Sequence, residues 1–435
     1  WKIGGRLFVY ICDYKICKSV FSTNEASDRP DVFSLNLFTK LQGGGIASSN
    51  NRACPIVRRF VLHYLKESAL KVSSVEDTFA YELQCLIDDL KLNTGKPTEV
   101  PWSVNVVVTN ILWKFIAGKR FDVDDKRHQA FEKVVYDIFS EGQKIAVAAF
   151  DFFPQLNTVF PNNFKRILGL GNLIENTEKC SQFIREEIDE HLNTLDPENP
   201  RDFIDNFLIE MTKEKEKKSN TAFSFSYEEL QYTLAELFFA GTETTSSMFR
   251  WLILFLAKYP KVQRKVQEEI DTELNKERLP SFSDKEKLIY TQAVIYEVLR
   301  MVPVGPFSLY HRASKNISVS GYDIPKGTFL ISSIFSCHFD PDYWENPSEF
   351  IPERFITPEG KLDVNKDGFV AFSTGRRSCI GEKLALMSLF YFITGILQKF
   401  DLSAPEGIEL DLRPDQTKNF FLVPESYKFV ITERV

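Results

Sequence analysis

The sequence predicts a mainly α protein with small β-sheets (α+β). Three observations lead there. Apolar residues recur at three- and four-residue spacing over most of the chain, which is the helical period. One such stretch, Ser226 to Lys258, is long enough to cross a whole molecule. Short β-branched and aromatic runs with Gly and Pro punctuation sit only near the two ends and after residue 315. No Ser/Gly-rich linker or low-complexity stretch divides the 435 residues, so one domain, 1–435, is expected.

In order along the chain, RLFVYICDY (6–14) reads as a strand. From Arg58 to Leu92 the pattern is helical, with Pro55 near the start, where a helix tolerates it. Further helices fit 104–117, 126–148, 164–193 and 201–213. The charged run TKEKEKKSN (212–220) reads as an exposed loop. Ser226 and Glu229 form a capping box for the next helix, and Pro260 marks its end. That helix spans about 50 Å at 1.5 Å per residue and is apolar on most faces, so it should run through the centre. Helices at 260–275 and 286–301 follow. NISVSGYDIPKGTFLIS (316–332) reads as strand, turn and strand; Phe339 to Ser378 is irregular; a helix runs from Glu382 to Phe400; and YKFVITERV closes the chain as a strand.

The net charge of −7 argues against general nucleic-acid binding. The 39 Phe imply a large apolar interior with an apolar cavity. Seven scattered cysteines without a CxxC pair argue against a disulfide framework or a zinc site and leave room for one special cysteine. Charges break the first twenty residues, so they show neither a spanning helix nor a signal peptide.

Three constellations carry chemistry. In AFSTGRRSCIG, Gly375 and Gly381 allow backbone geometry closed to other residues and bring Cys379 to the start of a helix. Loop N–H groups and the helix N-terminus should favour thiolate over thiol, with Phe372 as an apolar shield, which suits an iron ligand. A buried helix-capping cysteine fits as well. In EVLR, Glu297 and Arg300 share a helix face among apolar neighbours, and a buried pair needs further hydrogen bonds, which Arg354 of PERF can supply. A surface pair is the alternative. In AGTETT, Gly241 weakens the long helix, Thr244 and Thr245 can bond back to earlier carbonyls, and Glu243 adds an acid, giving a local opening or merely a tolerated kink.

The sequence resembles the cytochrome P-450 family, in particular its microsomal drug- and steroid-oxidising type (family two). The cysteine loop, the Glu–x–x–Arg helix, PERF and AGTETT occur in that family's order. GKRFD (118–122), NPRDFID (199–205) and IPKGT (324–328) extend the likeness over nearly the whole chain. The resemblance implies haem b held between the long central helix and the cysteine-bearing helix, with Cys379 as axial thiolate. It implies Arg58, His311, Arg377 and Arg29 on the haem propionates, and Glu297, Arg300 and Arg354 as a lock behind the cysteine loop. Thr244 with Glu243 would deliver protons for oxygen activation. Glu236, Leu237, Ala240, Val304, Gly305, Leu309, Phe420 and Phe421 would line a pocket for a lipophilic substrate, with Glu236 free to attract a basic or hydroxylated one. Two departures are Cys54, where the family usually has tryptophan and a propionate hydrogen bond, and Tyr310, where proline is common.

The implied activity is an O2-dependent monooxygenase fed by NADPH–cytochrome P-450 reductase, with cytochrome b5 as a second donor. A basic patch of Arg52, Arg59, Lys66 and Lys383 would dock the donor. FFPQLNTVFPNNF would dip into the membrane at Phe153, Phe160 and Pro161, placing the protein on the cytoplasmic face of the endoplasmic reticulum. A membrane anchor and the first part of the fold are expected upstream of Trp1. The alternatives are a haem-thiolate isomerase or dehydratase acting on peroxides, and a non-catalytic haem- or lipophile-binding protein.

Overall fold

The computed structural model describes residues 1–434 except 40–43, 51–53, 71, 161–164, 218–223, 275–277 and 419. Its N-terminal ribbon, β1 (Lys2–Ile3) and β2 (Arg6–Ile11), stops short of the expected strand end. Asp13 is the cause: its carboxylate accepts the Ile16 N–H at 2.8 Å and caps a helix the sequence reading missed, α1 (Tyr14–Phe21). The 58–92 helix is two, α2 (Cys54–Leu70) and α3 (Val72–Lys91). After β3 (Pro97–Thr98) comes α4 (Ser103–Ala117), ended by Gly118 at φ 64°. The 126–148 helix breaks after Gly142 into α5 (Lys126–Gly142) and α6 (Ile145–Phe152), followed by α7 (Gln155–Val159). Gly169, at φ 82°, sits in a wide turn over Arg166–Leu170 before α8 (Gly171–Thr194). The charged run is not a loop at its start: α9 (Phe203–Lys217) continues through it, as exposed Lys and Glu readily allow.

The central helix α10 (Tyr227–Lys258) has 32 residues and no interruption. Ser226 caps it through the Glu229 N–H at 3.1 Å, but only half of the capping box forms, because the Glu229 carboxylate bonds elsewhere. α11 (Pro260–Glu273) and α12 (Ile289–Met301) follow. The 316–332 segment makes one more strand than expected. β4 (His311–Arg312) precedes it; Ser320 and Gly321, both at positive φ, turn β5 (Ile317–Val319) into β6 (Tyr322–Ile324); and β7 (Phe329–Ser332) joins another sheet. That sheet has order β1-β2-β7-β4, with β2 and β7 parallel from Phe8↔Phe329 to Ile11↔Ser332. After the short helix α13 (Ile334–Phe339), residues 340–378 are irregular apart from single 3-10 turns. The chain ends with α14 (Glu382–Lys399), β8 (Phe400–Ser403) and β9 (Phe429–Glu433), the strands pairing with β3 in the order β3-β9-β8.

Two apolar cores grip α10. Leu230, Leu234, Ala235 and Phe238 of its first half belong to one, with α4, α5 and α8. Met248 to Ala257 of its second half belong to the other, with α3, α12 and α14. Between them lies the AGTETTSS stretch, and within it Ala240 is exposed although the helix around it is mostly buried. Packing thus leaves one interior strip of the helix open.

Candidate functional site

Gly375 brings the cysteine loop onto α1. It has φ 78°, and a Cβ there would lie 2.1 Å from the Phe21 carbonyl oxygen, so only glycine fits. Gly381, at φ −90°, needs no such freedom, and an added Cβ would rest in ordinary contact with the Cys379 Sγ at 3.9 Å. The Cys379 N–H donates to the Phe372 carbonyl at 2.8 Å, closing the loop, and Phe372 is partly buried against the larger core. The thiol is open to solvent-sized contact, yet protein surrounds it closely enough for burial to dominate its titration. Burial pushes the thiol up, against N–H groups of Gly381 and Glu382 that pull it down. The expected preference for thiolate therefore does not hold in the bare protein, where Glu382 also opposes the helix N-terminus. The stabilising charge for a thiolate has to come from a bound metal.

The loop is held from behind. Glu297 and Arg300, both fully buried, make two 2.8 Å bonds. Arg300 also donates to the carbonyls of His338 and Pro347, each at 2.8 Å. Arg354 closes on Glu297 at 3.2 Å, and the Ile351 N–H joins at 3.0 Å. The hydrogen bonds expected of Arg354 are present. His338, which sequence reading missed, extends this network to the loop. Its Nδ1 donates to the Arg300 carbonyl at 3.0 Å, and its Nε2 accepts the Val370 N–H at 2.9 Å. Burial pushes this imidazole down to about 3, so it is neutral.

Arg29, Arg58, Arg377 and His311 converge, with the charges of Arg58 and Arg377 felt at Arg29 and those of Arg29 and Arg377 felt at His311. Arg29, Arg377 and His311 are buried, and none of the four has a carboxylate partner among the described residues. Burial, then Arg377, lowers Arg29 to about 9, and burial, then Arg29, drives His311 well below its usual range. Arg58 donates to the Ser378 carbonyl at 2.6 Å, next to the cysteine. His311 bonds the Ala26 carbonyl through Nδ1 at 2.7 Å, leaving Nε2 without a partner among the described residues. Cys54 stands inside the cluster, its Sγ accepting from Arg377 Nη1 at 2.5 Å, and Tyr310 offers its carbonyl to Arg29 at 2.8 Å. Buried cations without counter-ions, an accessible thiol and an open apolar helix strip suit a flat apolar group that carries a metal and carboxylates. Haem fits that description.

On α10, Leu237, Ala240 and Thr244 share a face, and Thr244 Oγ1 donates to the Ala240 carbonyl at 2.6 Å. The expected opening at Gly241 is absent. Instead, a Cβ there would meet Leu112 of α4 at 2.8 Å, so this glycine serves close helix packing. Glu243 is not paired with Thr244. It turns to another face, where Arg250 Nη1 reaches it at 3.0 Å and Ser247 Oγ at 3.2 Å. With Arg250, Trp102, Tyr136, Lys418 and Tyr427 it borders a cavity of about 290 Å³. Glu236 does not offer a free carboxylate either, since loop N–H groups surround it.

Val304 and Gly305 are half-buried and Leu309 is exposed. The Leu422 N–H donates to the Val304 carbonyl at 2.8 Å, bringing the C-terminal loop to this segment. Phe421 stacks on Phe139 at 4.4 Å, Phe139 meets Phe239, and Phe239 meets Phe38. The Phe420 and Phe421 N–H groups face the Gln143 side-chain oxygen at 3.4 and 3.2 Å. Phe38, Phe139 and Phe239 were not foreseen; the high phenylalanine count was their only signal.

A family model described as Cytochrome P-450 matches residues 1–431. The chain is 38% identical over 434 residues to cytochrome P-450 2L1 of Panulirus argus, covering 100% of this chain and 87% of that protein. It is 36% identical over 418 residues to cytochrome P-450 2B19 of Mus musculus, covering 95% and 82%. With cytochrome P-450 2B2 of Rattus norvegicus it shares 35% over 437 residues, covering 99% and 86%. The family match along nearly its whole length, on a fold that gathers a loop cysteine, buried cations and an open central helix, shows that this chain belongs to the cytochrome P-450 family and is an oxidoreductase of the haem-thiolate monooxygenase type.

Proposed function

We propose that this protein inserts one oxygen atom from O2 into a lipophilic small organic substrate (steroid, fatty acid or xenobiotic), with electrons from NADPH through a reductase and cytochrome b5 as a second donor. The observation that carries the reading is the open strip of α10, an apolar interior surface beside Thr244 in a helix otherwise packed on all sides. Haem bound to the chain supplies the redox centre that activates oxygen. Cys379 would hold its iron through the sulfur. Phe372 and Gly375 shape the loop, and Gly381 leads from it into α14. Arg29, Arg58, Arg377 and His311 hold the carboxylates, and Glu297, Arg300 and Arg354 keep the loop rigid. Leu237, Ala240, Val304, Gly305, Leu309, Phe420 and Phe421 bind and orient the substrate and exclude water. Thr244 hands a proton in from the strip side, while Glu243 exchanges protons with the polar cavity behind the helix.

The exposed Arg59 and Lys66, two turns apart on α2, and Lys383 on α14 form the docking face for the reductase. Arg52, expected to join them, lies outside the described residues. Among the described residues no helix is long and apolar enough to cross a membrane. Exposed apolar residues around α6 and α7 seat the protein on the cytoplasmic face of the endoplasmic reticulum. One observation favours the alternative of a peroxide isomerase or dehydratase, which needs no proton delivery: Glu243 is engaged by Arg250.

The test has two parts. Purified holoprotein should give the reduced carbon-monoxide spectrum of a thiolate haem, and Cys379→Ser should abolish it. A panel of lipophiles should shift the haem spin state, and the shifting compounds should drive NADPH consumption with reductase. An unchanged spectrum and turnover in Cys379→Ser defeats the reading, and turnover of peroxides without NADPH selects the alternative.

A further inference from the structure

Glu236 is buried on the central helix, yet none of its hydrogen bonds goes to a cation. Its Oε2 accepts the N–H of Ile46 at 2.5 Å and of Ala47 at 2.7 Å. Its Oε1 accepts the Ser48 N–H at 3.1 Å and the Ser48 hydroxyl at 2.6 Å. Two turns earlier, Glu229 accepts the Gly45 N–H at 2.8 Å. The same loop turns carbonyls the other way. Ala47 accepts from Arg29 Nε at 2.9 Å, Ile46 from Arg377 Nη1 at 3.0 Å, and Ser49 from Arg377 Nη2. Successive peptide groups therefore stand between a carboxylate and two guanidiniums, N–H toward the first and C=O toward the second. Two glycines make the close approach possible. A Cβ on Gly45, which has φ 79°, would lie 2.4 Å from the Glu236 carboxylate, and one on Gly44 would lie 2.6 Å from the Tyr232 ring.

Arg29 and Arg377 have no carboxylate partner among the described residues, so loop carbonyls are what aim them. Among those carbonyls, Ile46 and Ala47 belong to peptide groups whose N–H groups bond Glu236, while Ser27 and Tyr310 contribute one each from other segments. We infer that Glu236 is a positioning residue for the cofactor, acting through the Ile46–Ser49 peptide groups to hold Arg29 and Arg377 where haem carboxylates bind. This rests on the proposed binding of haem beside these arginines. Glu236 touches neither haem nor substrate in this role, and a basic substrate gains nothing from its charge.

The experiment measures haem transfer from purified holoprotein to excess apomyoglobin. Glu236→Gln puts an amide NH2 against loop N–H donors and removes the charge that strengthens these bonds. Haem loss should quicken at least tenfold, and hydrogen exchange of the 45–48 amides should quicken with it. The haem that remains should keep its thiolate carbon-monoxide spectrum, since Cys379 sits on another loop. Glu236→Asp should restore most of the retention. Gly45→Ala, which keeps the acid but sets a Cβ against its carboxylate and so pushes the loop off the helix, should reproduce the loss and carries the test if Glu236→Gln does not fold. Glu82→Gln, at a buried acid of α3 that pairs with half-buried Arg120, controls for general destabilisation and should lose haem at the wild-type rate. Faster amide exchange with wild-type haem retention in Glu236→Gln overturns the inference, as does equal haem loss in Glu82→Gln. If wild type itself shows no thiolate-haem spectrum, the functional reading falls and this inference with it; if wild type shows it and Glu236→Gln holds haem as tightly, this inference alone falls.

Discussion

Arg300 uses its whole fork inside the protein, on Glu297 and on the carbonyls that frame the cysteine loop. Removing one member of a buried pair strands the other charge at a cost of about 3–5 kcal/mol. Glu297→Gln is therefore expected to lower the unfolding free energy by that order in chemical denaturation, while Lys66→Gln on the exposed face of α2 should leave it unchanged. The Glu–x–x–Arg spacing and Arg354 were legible because one helix face and one short motif carry them. His338 was not, since its partners, Arg300 and Val370, lie 38 and 32 residues away and only the fold brings them to it. Its pKa is depressed to about 3, so between that value and its ordinary 6.5 the unfolded chain binds the extra proton. Stability from this group is present above pH 6.5 and is lost as pH falls, by about 1.4 kcal/mol per pH unit. Gln can make the same two bonds without titrating. Between pH 6.5 and 5 the wild type should lose about 2 kcal/mol more than His338→Gln, read from denaturation midpoints. Equal losses would remove His338 from the account of acid sensitivity.

Among the helices, α10 shows what the period of a sequence reveals and what it hides. Its extent was legible from the Ser226 cap, the Pro260 stop and unbroken apolarity. Its contacts were not, because a helical pattern says which residues share a face and not what approaches that face. Glu243, Ser247 and Arg250 do share one, at i, i+4 and i+7, and that spacing was available; the acid was matched instead to its chain neighbour Thr244. Gly241 likewise looked like a weak point until Leu112 was seen against it. The breaks after Gly142 and at Gly169 escaped for a related reason, since an isolated glycine in a periodic run does not say whether it bends, packs or merely weakens the helix. The Gly241–Leu112 contact makes a signed prediction. Ala improves an open helix position by about 1 kcal/mol over Gly, but overpacking a core costs about 1–3 kcal/mol. Gly241→Ala should destabilise the wild type and stabilise Leu112→Ala. A double-mutant cycle by denaturation measures both, and the same sign in both backgrounds defeats the packing explanation.

The whole molecule presents an apolar face that no single element foretells. The sequence placed a membrane-dipping tip at Phe153, Phe160 and Pro161. Phe153 is indeed exposed, but Phe160 packs partly against the α4–α5–α8 core, and Pro161 lies outside the described residues. The exposure has moved to Ile145 at 76%, Val159 at 65% and Ile167 at 77%, on α6, α7 and the wide turn before α8, with α6 touching both of the others. A linear reading could not find this, because it depends on which sides of three short segments turn outward once they pack against one another. Burying one such side chain in a bilayer yields about 1.5–3 kcal/mol, enough for roughly tenfold or more in partitioning. Its physical signature is apolar: binding should occur on neutral phosphatidylcholine vesicles and resist added salt, as the acidic chain gains little from anionic lipid. Changing Ile145 and Ile167 together to Asp should lower vesicle binding at least tenfold in co-sedimentation. The haem spectrum should stay as in the wild type, since neither residue belongs to the core around the site. Unchanged vesicle binding in this double variant would move the membrane contact elsewhere on the protein, and binding that collapses in salt would make it electrostatic.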